Sequence, residues 1–390
     1  INDGIFFFSI GGITNAMFNA SVNGKITING GTFRNEEEGD VIPQFAPYIF
    51  TYEKNGKLII NDGDFYGGWR FNGETATTDI YGGTFTVSYD GQSFHASSTH
   101  VLKIYGGVFS LENGGKLNPS NYVAEGYKAV ATADGKSYVV LPKTDNYDIV
   151  ITDPAQLTKE VIENNETIYL AAGEYIINLY DIEHKTRSLT IVGTEGTKFG
   201  HTATTGGQLR LDLFDSFTIR NCEIIQRSGV KTWGHIVFGS GIKANGVYTI
   251  ENCTFNGVGT QGIYINENTT GATYNILNCT FNGDFGGEGA ITIQTNEGVN
   301  HIVNVEGCEF NNIPATSHRI FLAPNKGLFY DFTLNTDLKA TTAYELEMFL
   351  NMSNQVNVAK GNYKFPTSSI KEGQTIICEE GTVFTGNSKL

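Results

Sequence analysis

The sequence predicts an all-β fold: a right-handed parallel β-helix (solenoid) in tandem stacks, with short capping α-helices. Two repeated phrases and the composition carry that prediction. One phrase ends in Gly-Gly-Thr-Phe and fills the first third of the chain; the other turns on Asn-Cys and begins near residue 215. The chain holds 47 Gly, 26 Phe and 19 Tyr against 8 Pro and 3 Met, which is the signature of many short strands joined by tight turns. At 390 residues it exceeds the size at which one compact core keeps growing, so several domains or an open-ended repeat is expected, and the phrases decide for the repeat.

The first phrase reads Ile26-Thr-Ile-Asn-Gly30-Gly31-Thr-Phe33, Leu58-Ile-Ile-Asn-Asp-Gly63-Asp-Phe65, Asp79-Ile-Tyr-Gly82-Gly83-Thr-Phe85 and Leu102-Lys-Ile-Tyr-Gly106-Gly107-Val-Phe109, with phenylalanines 32, 20 and 24 residues apart. A strand, a sharp corner and a second strand recurring at such intervals make one turn of a solenoid whose rungs stack about 4.8 Å apart. The corner needs a left-handed backbone, which Gly adopts freely and Asn tolerates best among the others. The second phrase keeps that grammar in Phe217-Thr-Ile-Arg-Asn221-Cys222, Tyr248-Thr-Ile-Glu-Asn252-Cys253-Thr-Phe255, Tyr274-Asn-Ile-Leu-Asn278-Cys279-Thr-Phe281 and Val303-Asn-Val-Glu-Gly307-Cys308-Glu-Phe310. Stacked Asn side chains can bond to one another up the column. Alternation sends Cys222, Cys253, Cys279 and Cys308 inward as a ladder of small hydrophobes. Metal ligation is disfavoured, because ligands would cluster a few residues apart and no His recurs with them.

Between the arrays, Tyr127 to Leu141 alternates and turns at Asp134-Gly135, a hairpin signal that closes the first stack. Asp153-Pro154-Ala-Gln156 then supplies an N-cap, a proline at the first helical position and a capping-box partner, with Leu157, Val161 and Ile162 on one face. A short amphipathic helix there would lid the exposed apolar end of a stack. Thr342-Ala-Tyr-Glu345, backed by Leu346, Phe349 and Leu350, reads as a second capping box. Beyond it, Val358-Ala-Lys-Gly361-Asn-Tyr363 echoes Leu170-Ala-Ala-Gly173-Glu-Tyr175, and the run Thr375 to Phe384 echoes Thr190 to Phe199. The expected domains are 1–143, 144–335 and 336–390, the last being the opening of a further module. Ile1-Asn2-Asp3-Gly4-Ile5-Phe6 reads as the middle of a coil without an initiator Met, so the chain is expected to be a piece of a longer protein.

A formal charge of −15 repels phosphate backbones and anionic lipid, which argues against nucleic acid as a partner. No run approaches the roughly 18 apolar residues of a membrane span. Five cysteines cannot all pair with one another, and their spacing is not that of a disulfide framework.

The run from about 150 to 330 resembles the pectin-lyase-like right-handed β-helix superfamily, through the opening helix, the Leu170 to Tyr175 strand, Leu189-Thr-Ile-Val-Gly193 and the Ile-x-Asn-Cys-x-Phe coils. The Gly-Gly-Thr-Phe coils ending in Asn121-Tyr-Val-Ala-Glu-Gly-Tyr127 resemble repeat regions of large surface proteins of Gram-positive gut bacteria. Such scaffolds carry enzymes and adhesins alike, so the resemblance implies fold more than function. Hydrolases of that superfamily carry Asn-Thr-Asp, Asp-Asp, Gly-His-Gly and Arg-Ile-Lys in order, to supply paired carboxylates. Here Asn335-Thr336-Asp337 falls after the last Cys coil, Gly234-His235-Ile236 is half a match and lies upstream, and no Asp-Asp pair exists. A lyase would need an Arg or Lys base beside carboxylates holding Ca²⁺. Glu288, Arg319 and His235 are the candidates for such chemistry; otherwise no cofactor and no metal is expected.

The strands best placed for a site are His235-Ile-Val-Phe238, Gly262-Ile-Tyr-Ile265, Ala290-Ile-Thr-Ile293 and Arg319-Ile-Phe-Leu322. With the Ile residues inward, period-two alternation puts His235, Val237, Tyr264, Asn266, Thr292, Gln294, Arg319 and Phe321 outward. Together with Trp233, the polar and aromatic members of that set suit sugar recognition, aromatic faces stacking on sugar rings while amides and hydroxyls bond sugar hydroxyls. Elsewhere, Asn61-Asp62-Gly63-Asp64 reads as a turn, Glu36-Glu37-Glu38 as a solvated loop, and Asn165 and Asn268 as glycosylation sequons only where the source glycosylates. The expected function is a non-catalytic extracellular or cell-surface module, an adhesin or stalk that binds a glycan or a host surface protein through its lateral face and loops. The alternatives are a polysaccharide lyase or glycoside hydrolase acting on an acidic polysaccharide, and a phage tailspike-like receptor-binding protein.

Overall fold

The recurring phenylalanines of the first phrase form a single column. Phe6, Phe33, Phe65, Phe85 and Phe109 stack face to face with centroids 4.7–5.0 Å apart, and the last four are fully buried. The protein, seen here as a computed structural model, is described at residues 1–8, 18–20, 22–35, 48–52, 54–87, 94–111, 117–143, 147–183, 186–201, 208–226, 233–239, 241–266, 271–294, 299–322, 332–364, 370 and 372–386. Glu36, Glu37, Glu38 and Asn268 lie outside the described residues. The described residues are nearly all β, with most strands in parallel sheets and two α-helices among them, and the chain divides into two compact units, Ile1–Val150 and Ile151–Leu390.

In the first unit the strands are dealt out to three sheets in rotation. Ile5–Phe8, Thr32–Asn35, Asp64–Tyr66, Thr84–Val87 and Val108–Leu111 pair in parallel, with the phenylalanines in register. Lys25–Ile28, Lys57–Ile60, Thr77–Ile80 and Val101–Ile104 form a second parallel sheet, and Trp69–Gly73 pairs with Phe94–Ala96 in the third. The corners take the predicted conformation, with φ of 108°, 135°, 98° and 105° at Gly31, Gly63, Gly83 and Gly107. At Gly106 a Cβ would lie 2.1 Å from the Tyr81 carbonyl, so successive backbones approach too closely there for any side chain. Asp62 closes its turn by accepting from Gly63 N–H (2.8 Å). The hairpin forms as expected, Tyr127–Ala131 running antiparallel to Ser137–Pro142 with Gly135 at φ 70°.

In the second unit the first strands alternate between two sheets, and the three-sheet rotation runs from Ser216–Arg220 onward. Its largest sheet includes Thr167–Leu170, Ser188–Val192, Ser216–Arg220, Val247–Glu251, Thr273–Leu277, His301–Glu306 and Phe332–Thr336, all in parallel. Gly173–Ile177, Thr197–His201, Glu223–Ile225, Thr254–Val258, Thr280–Asp284 and Glu309–Asn311 form the next. Gly234–Phe238, Gln261–Ile265, Ile291–Ile293 and Ile320–Leu322 form the third. Asn221, Asn252, Asn278 and Gly307 occupy the left-handed corners at φ 58°, 51°, 52° and 64°. Asn252 Nδ2 donates to Asn221 Oδ1 (3.2 Å), the amide ladder anticipated at the corner. Two further ladders were not anticipated: Asn311 to Asn282 to Asn256 to Glu223, and Asn335 to Asn304 to Asn275 to Thr249.

The cysteine column is interior, with Cys222, Cys253, Cys279 and Cys308 all buried and each thiol donating to the carbonyl two residues back. Burial pushes the Cys222 and Cys253 thiols up, Cys253 to about 12, while the hydrogen bond with Cys308 and then burial raise Cys279. Cys378 alone is exposed. A disulfide reagent such as DTNB should therefore label one thiol quickly in the native protein and all five after denaturation. Fast labelling of a second thiol would show that the column is open.

The first capping sequence differs from expectation. Asp153 and Gln156 do form a reciprocal capping box, but over a single 3₁₀ turn, Pro154–Gln156. The chain leaves helical geometry at Leu157 (ψ 80°), and Thr158 caps a separate helix, α1 (Lys159–Asn164). The box satisfies its donors within one turn, and Leu157 turns into the interior instead of continuing the helix. Asn165, at the end of α1, donates to the Val161 carbonyl (2.7 Å). Helix α2 (Ala343–Met352) buries Leu346, Phe349 and Leu350 as expected. Thr342 Oγ1 accepts from Glu345 N–H (3.1 Å), while the Glu345 carboxylate turns to Thr341 and Arg319. After each helix the same bonds recur. Tyr175 and Tyr363 hydroxyls donate to the Ile151 and Ala340 carbonyls, and Thr197 and Thr382 hydroxyls to the Ala171 and Ala359 carbonyls.

Candidate functional site

Three columns run across the third sheet of the second unit. Ile236, Ile263, Ile291 and Ile320 share one register position, Phe238, Ile265, Ile293 and Leu322 another, and Val237, Tyr264, Thr292 and Phe321 lie between them. Alternation puts that middle column on the opposite face from its apolar neighbours. It is more enclosed than expected, since Val237, Tyr264 and Thr292 are buried and only Phe321 is half-buried.

Trp233 is 63% exposed and lies parallel to the Tyr264 ring, with centroids 5.8 Å apart and 6° between planes. The Tyr264 hydroxyl reaches Asn266 Oδ1 (3.1 Å) and Gln294 Oε1, so two carboxamides border the aromatic pair. Trp233, Tyr264, Asn266 and Gln294 thus come together as the sequence implied, with Thr292 beside Tyr264 in register.

The remaining predicted residues go elsewhere. His235 is not outward: 3% exposed, it packs edge-on against Phe255 and tilted against Phe285. Its nitrogens lie 3.1 Å from the Gln261 and Asn256 carbonyls. His235 lies within the strand Gly234–Phe238, every residue of which is buried, so neither face of that strand is open to solvent. Burial lowers the His235 pKa, and a general base enclosed by its own backbone has no route to a substrate. Glu288 accepts from Gln261 Nε2. Arg319 forms a bidentate pair with Glu345, Nε to Oε1 at 2.7 Å and an η nitrogen to Oε2 at 2.6 Å, and donates to the Lys339 carbonyl (2.7 Å). Phe321 stacks on His318 at 5.2 Å and lies 6.2 Å from Tyr344. Arg319 and Phe321 therefore help to anchor α2. Asp337 accepts from Gly307 N–H (2.9 Å). Among the described residues, no three or more His, Cys, Asp and Glu side chains are grouped to hold a metal ion.

A buried ion pair had no signal in the sequence. Asp212, wholly inaccessible, takes Arg210 Nε at 2.6 Å and an η nitrogen at 2.5 Å, and its Oδ2 also accepts from Gly239 and Gly241 N–H (2.9 and 3.0 Å). It pins the turn that follows Gly234–Phe238. An open polar cleft of ≈ 390 Å³, lined by corner residues Asn221 and Asn252 with Glu195, Glu223 and Asn256, was also unforeseen. No protein-family model, curated protein or solved structure matches the chain.

Buried neutral histidines give the second unit a pH dependence. Burial lowers His301 from 6.5 to about 4, and its Nδ1 accepts from Ala272 N–H (3.2 Å). Above pH 6.5 both folded and unfolded rings are neutral and nothing is lost. Below it the unfolded chain takes up a proton that the folded one refuses, so stability falls until the pH reaches the folded value. The loss is at most about 3 kcal/mol for this ring. Urea unfolding midpoints should drop between neutral pH and pH 4, and His301→Phe should flatten that slope.

Proposed function

We propose that the protein is a non-catalytic, extracellular or cell-surface glycan-binding module, built as tandem right-handed parallel β-helix stacks of the pectin-lyase-like kind. Rotation of strands through three sheets, with every third strand pairing in parallel through the first unit and from Ser216–Arg220 to Phe332–Thr336 in the second, supports the β-helix reading. The strand pair and tyrosine anchor that follow α1 recur after α2, which supports reading 336–390 as a second copy of that arrangement. One observation carries the binding role: an indole 63% exposed, backed in parallel by Tyr264 and bordered by Asn266 and Gln294. Rings of that kind stack on the apolar faces of sugars while amides take their hydroxyls. A lyase or hydrolase is disfavoured because its candidate groups are engaged, Arg319 with Glu345, Glu288 with Gln261 and His235 inside the core. No helix among the described residues is long and apolar enough to cross a membrane.

The test is a glycan array probed with the full chain and with Trp233→Ala. Specific signals should appear and fall about tenfold or more in the variant, with the circular dichroism spectrum unchanged. Absence of any glycan signal, or signals indifferent to Trp233→Ala, would overturn the assignment. Release of unsaturated sugar from an acidic polysaccharide would replace it with the lyase reading.

A further inference from the structure

The first unit carries an aromatic platform of its own, on the outward face of the sheet formed by Lys25–Ile28, Lys57–Ile60, Thr77–Ile80 and Val101–Ile104. At the corner after these strands the early rungs carry asparagine, Asn61 Nδ2 donating to Asn29 Oδ1 (2.7 Å). The later rungs replace the amide by a phenol ring. Tyr81 and Tyr105 stack with centroids 4.8 Å apart and 10° between planes, and Tyr127 meets Tyr105 edge-on at 5.4 Å. Tyr105 is thus covered on both sides, whereas the other side of Tyr81 looks toward the rung of Asn61, a shorter side chain. Tyr81 stays 50% exposed. Gly82 and Gly106, where an added Cβ would lie 2.4 and 2.1 Å from the carbonyls of Asn61 and Tyr81, keep these rungs in close register.

The outward positions of the sheet itself carry a charge balance opposite to that of the whole chain, while the exposed carboxylate of Asp62 stands at the corner on the rung next to Tyr81. Inward positions of the sheet are Ile26, Ile28, Leu58, Ile60, Thr78, Ile80, Leu102 and Ile104, so the alternate positions face out. Their ionisable members are Lys25, Lys57 and Lys103 against Asp79 alone, a local surplus of cations on a chain of net −15. Lys57 Nζ lies 2.9 Å from Asp79 Oδ2, and Lys103 is exposed directly across the ladder from the same carboxylate. One acid between two lysines leaves the set able to attract a further anion.

We infer that this face is a second binding site, selective for a carboxylate-bearing terminal sugar. The ring of such a sugar stacks on Tyr81 while Lys103 and Lys57 take its carboxylate and Asp79 its hydroxyls. A neutral sugar would gain the stacking without the ionic contact.

Saturation-transfer NMR with the full chain tests this, using 3′-sialyllactose as probe and lactose as its uncharged control. Transfer should appear on the charged sugar ring, with little on lactose. It should weaken as ionic strength rises from about 0.01 M to about 0.15 M, where the Debye length falls from about 30 to about 8 Å. Tyr81→Ala and the surface variant Lys103→Glu should each cut the signal about tenfold, while Trp233→Ala leaves it unchanged. No transfer to sialyllactose, equal transfer to lactose, or a signal that survives Lys103→Glu overturns the inference. A signal lost in Trp233→Ala and kept in Tyr81→Ala also overturns it, while leaving the Trp233 platform standing. Loss in the tyrosine and lysine variants alone upholds it whatever the array shows for Trp233.

Discussion

Arg319→Ala is expected to destabilise the second unit by about 3–5 kcal/mol, because it strands Glu345 as a buried carboxylate without its cation. The Arg319 and Glu345 side chains are 20% and 6% exposed, and the pair joins the strand Ile320–Leu322 to the first turn of α2. Urea unfolding followed by far-ultraviolet circular dichroism measures the loss. Glu345→Gln should be costly as well, and the double variant should cost less than the sum of the singles, since the stranded charge is then gone. The pH dependence has a definite sign. Burial opposes ionisation of Glu345, but the hydrogen bonds and charge of Arg319, with Thr341, outweigh it and hold the carboxyl below its usual 4.5. The stabilisation is therefore complete above pH 4.5 and is lost as the pH falls through the lower folded value. A variant without Arg319 should lose that acid transition. Loss of under about 1 kcal/mol in Arg319→Ala would mean that the pair behaves like a solvated surface bridge.

Asp212→Ala should be comparably severe, about 3–5 kcal/mol, and for a related reason. It leaves the Arg210 guanidinium, 15% exposed, and the N–H groups of Gly239 and Gly241 without their shared acceptor. Asp212→Asn keeps one carbonyl oxygen for those donors and should cost visibly less. Because Gly239 follows the strand that begins just after Trp233, the alanine variant should also weaken any glycan signal of the Trp233 platform. A full-strength signal with reduced stability would show that the turn and the platform are independent.

The all-β character and its parallel sheets were legible because columns repeat. Phe33, Phe65, Phe85 and Phe109, and Cys222, Cys253, Cys279 and Cys308, are each one residue type returning to one place, and the left-handed corners follow from Asn and Gly. The ladders through Asn256 and Asn275 were equally periodic, in the Thr-Phe-Asn and Asn-Ile or Asn-Val phrases, and could have been found the same way. What was not legible is pairing between rungs. Arg319 meets Glu345 across 26 residues, and Asp212 meets Gly239 across 27, at separations no motif encodes. His235 is enclosed because both faces of the strand Gly234–Phe238 are covered, which alternation within one strand cannot reveal. Of the proposed binding set, Trp233, Tyr264, Asn266 and Gln294 lie together, whereas Arg319 and Phe321 contact residues of α2 and His235 enters the core.

The phenylalanine column also bears on how such a chain can change. Successive members are separated by 32, 20 and 24 residues, yet each lands on its neighbour in the same register. Chain length between rungs is thus decoupled from the interior: added or removed segments are accommodated in the connections, and the stack does not register the difference. Lineages can lengthen or recode those connections without renegotiating the core. Variation among relatives should accordingly concentrate in connection length, with the corner glycines and ring positions fixed, and transplanting a connection from one rung to another should leave a folded protein with altered recognition.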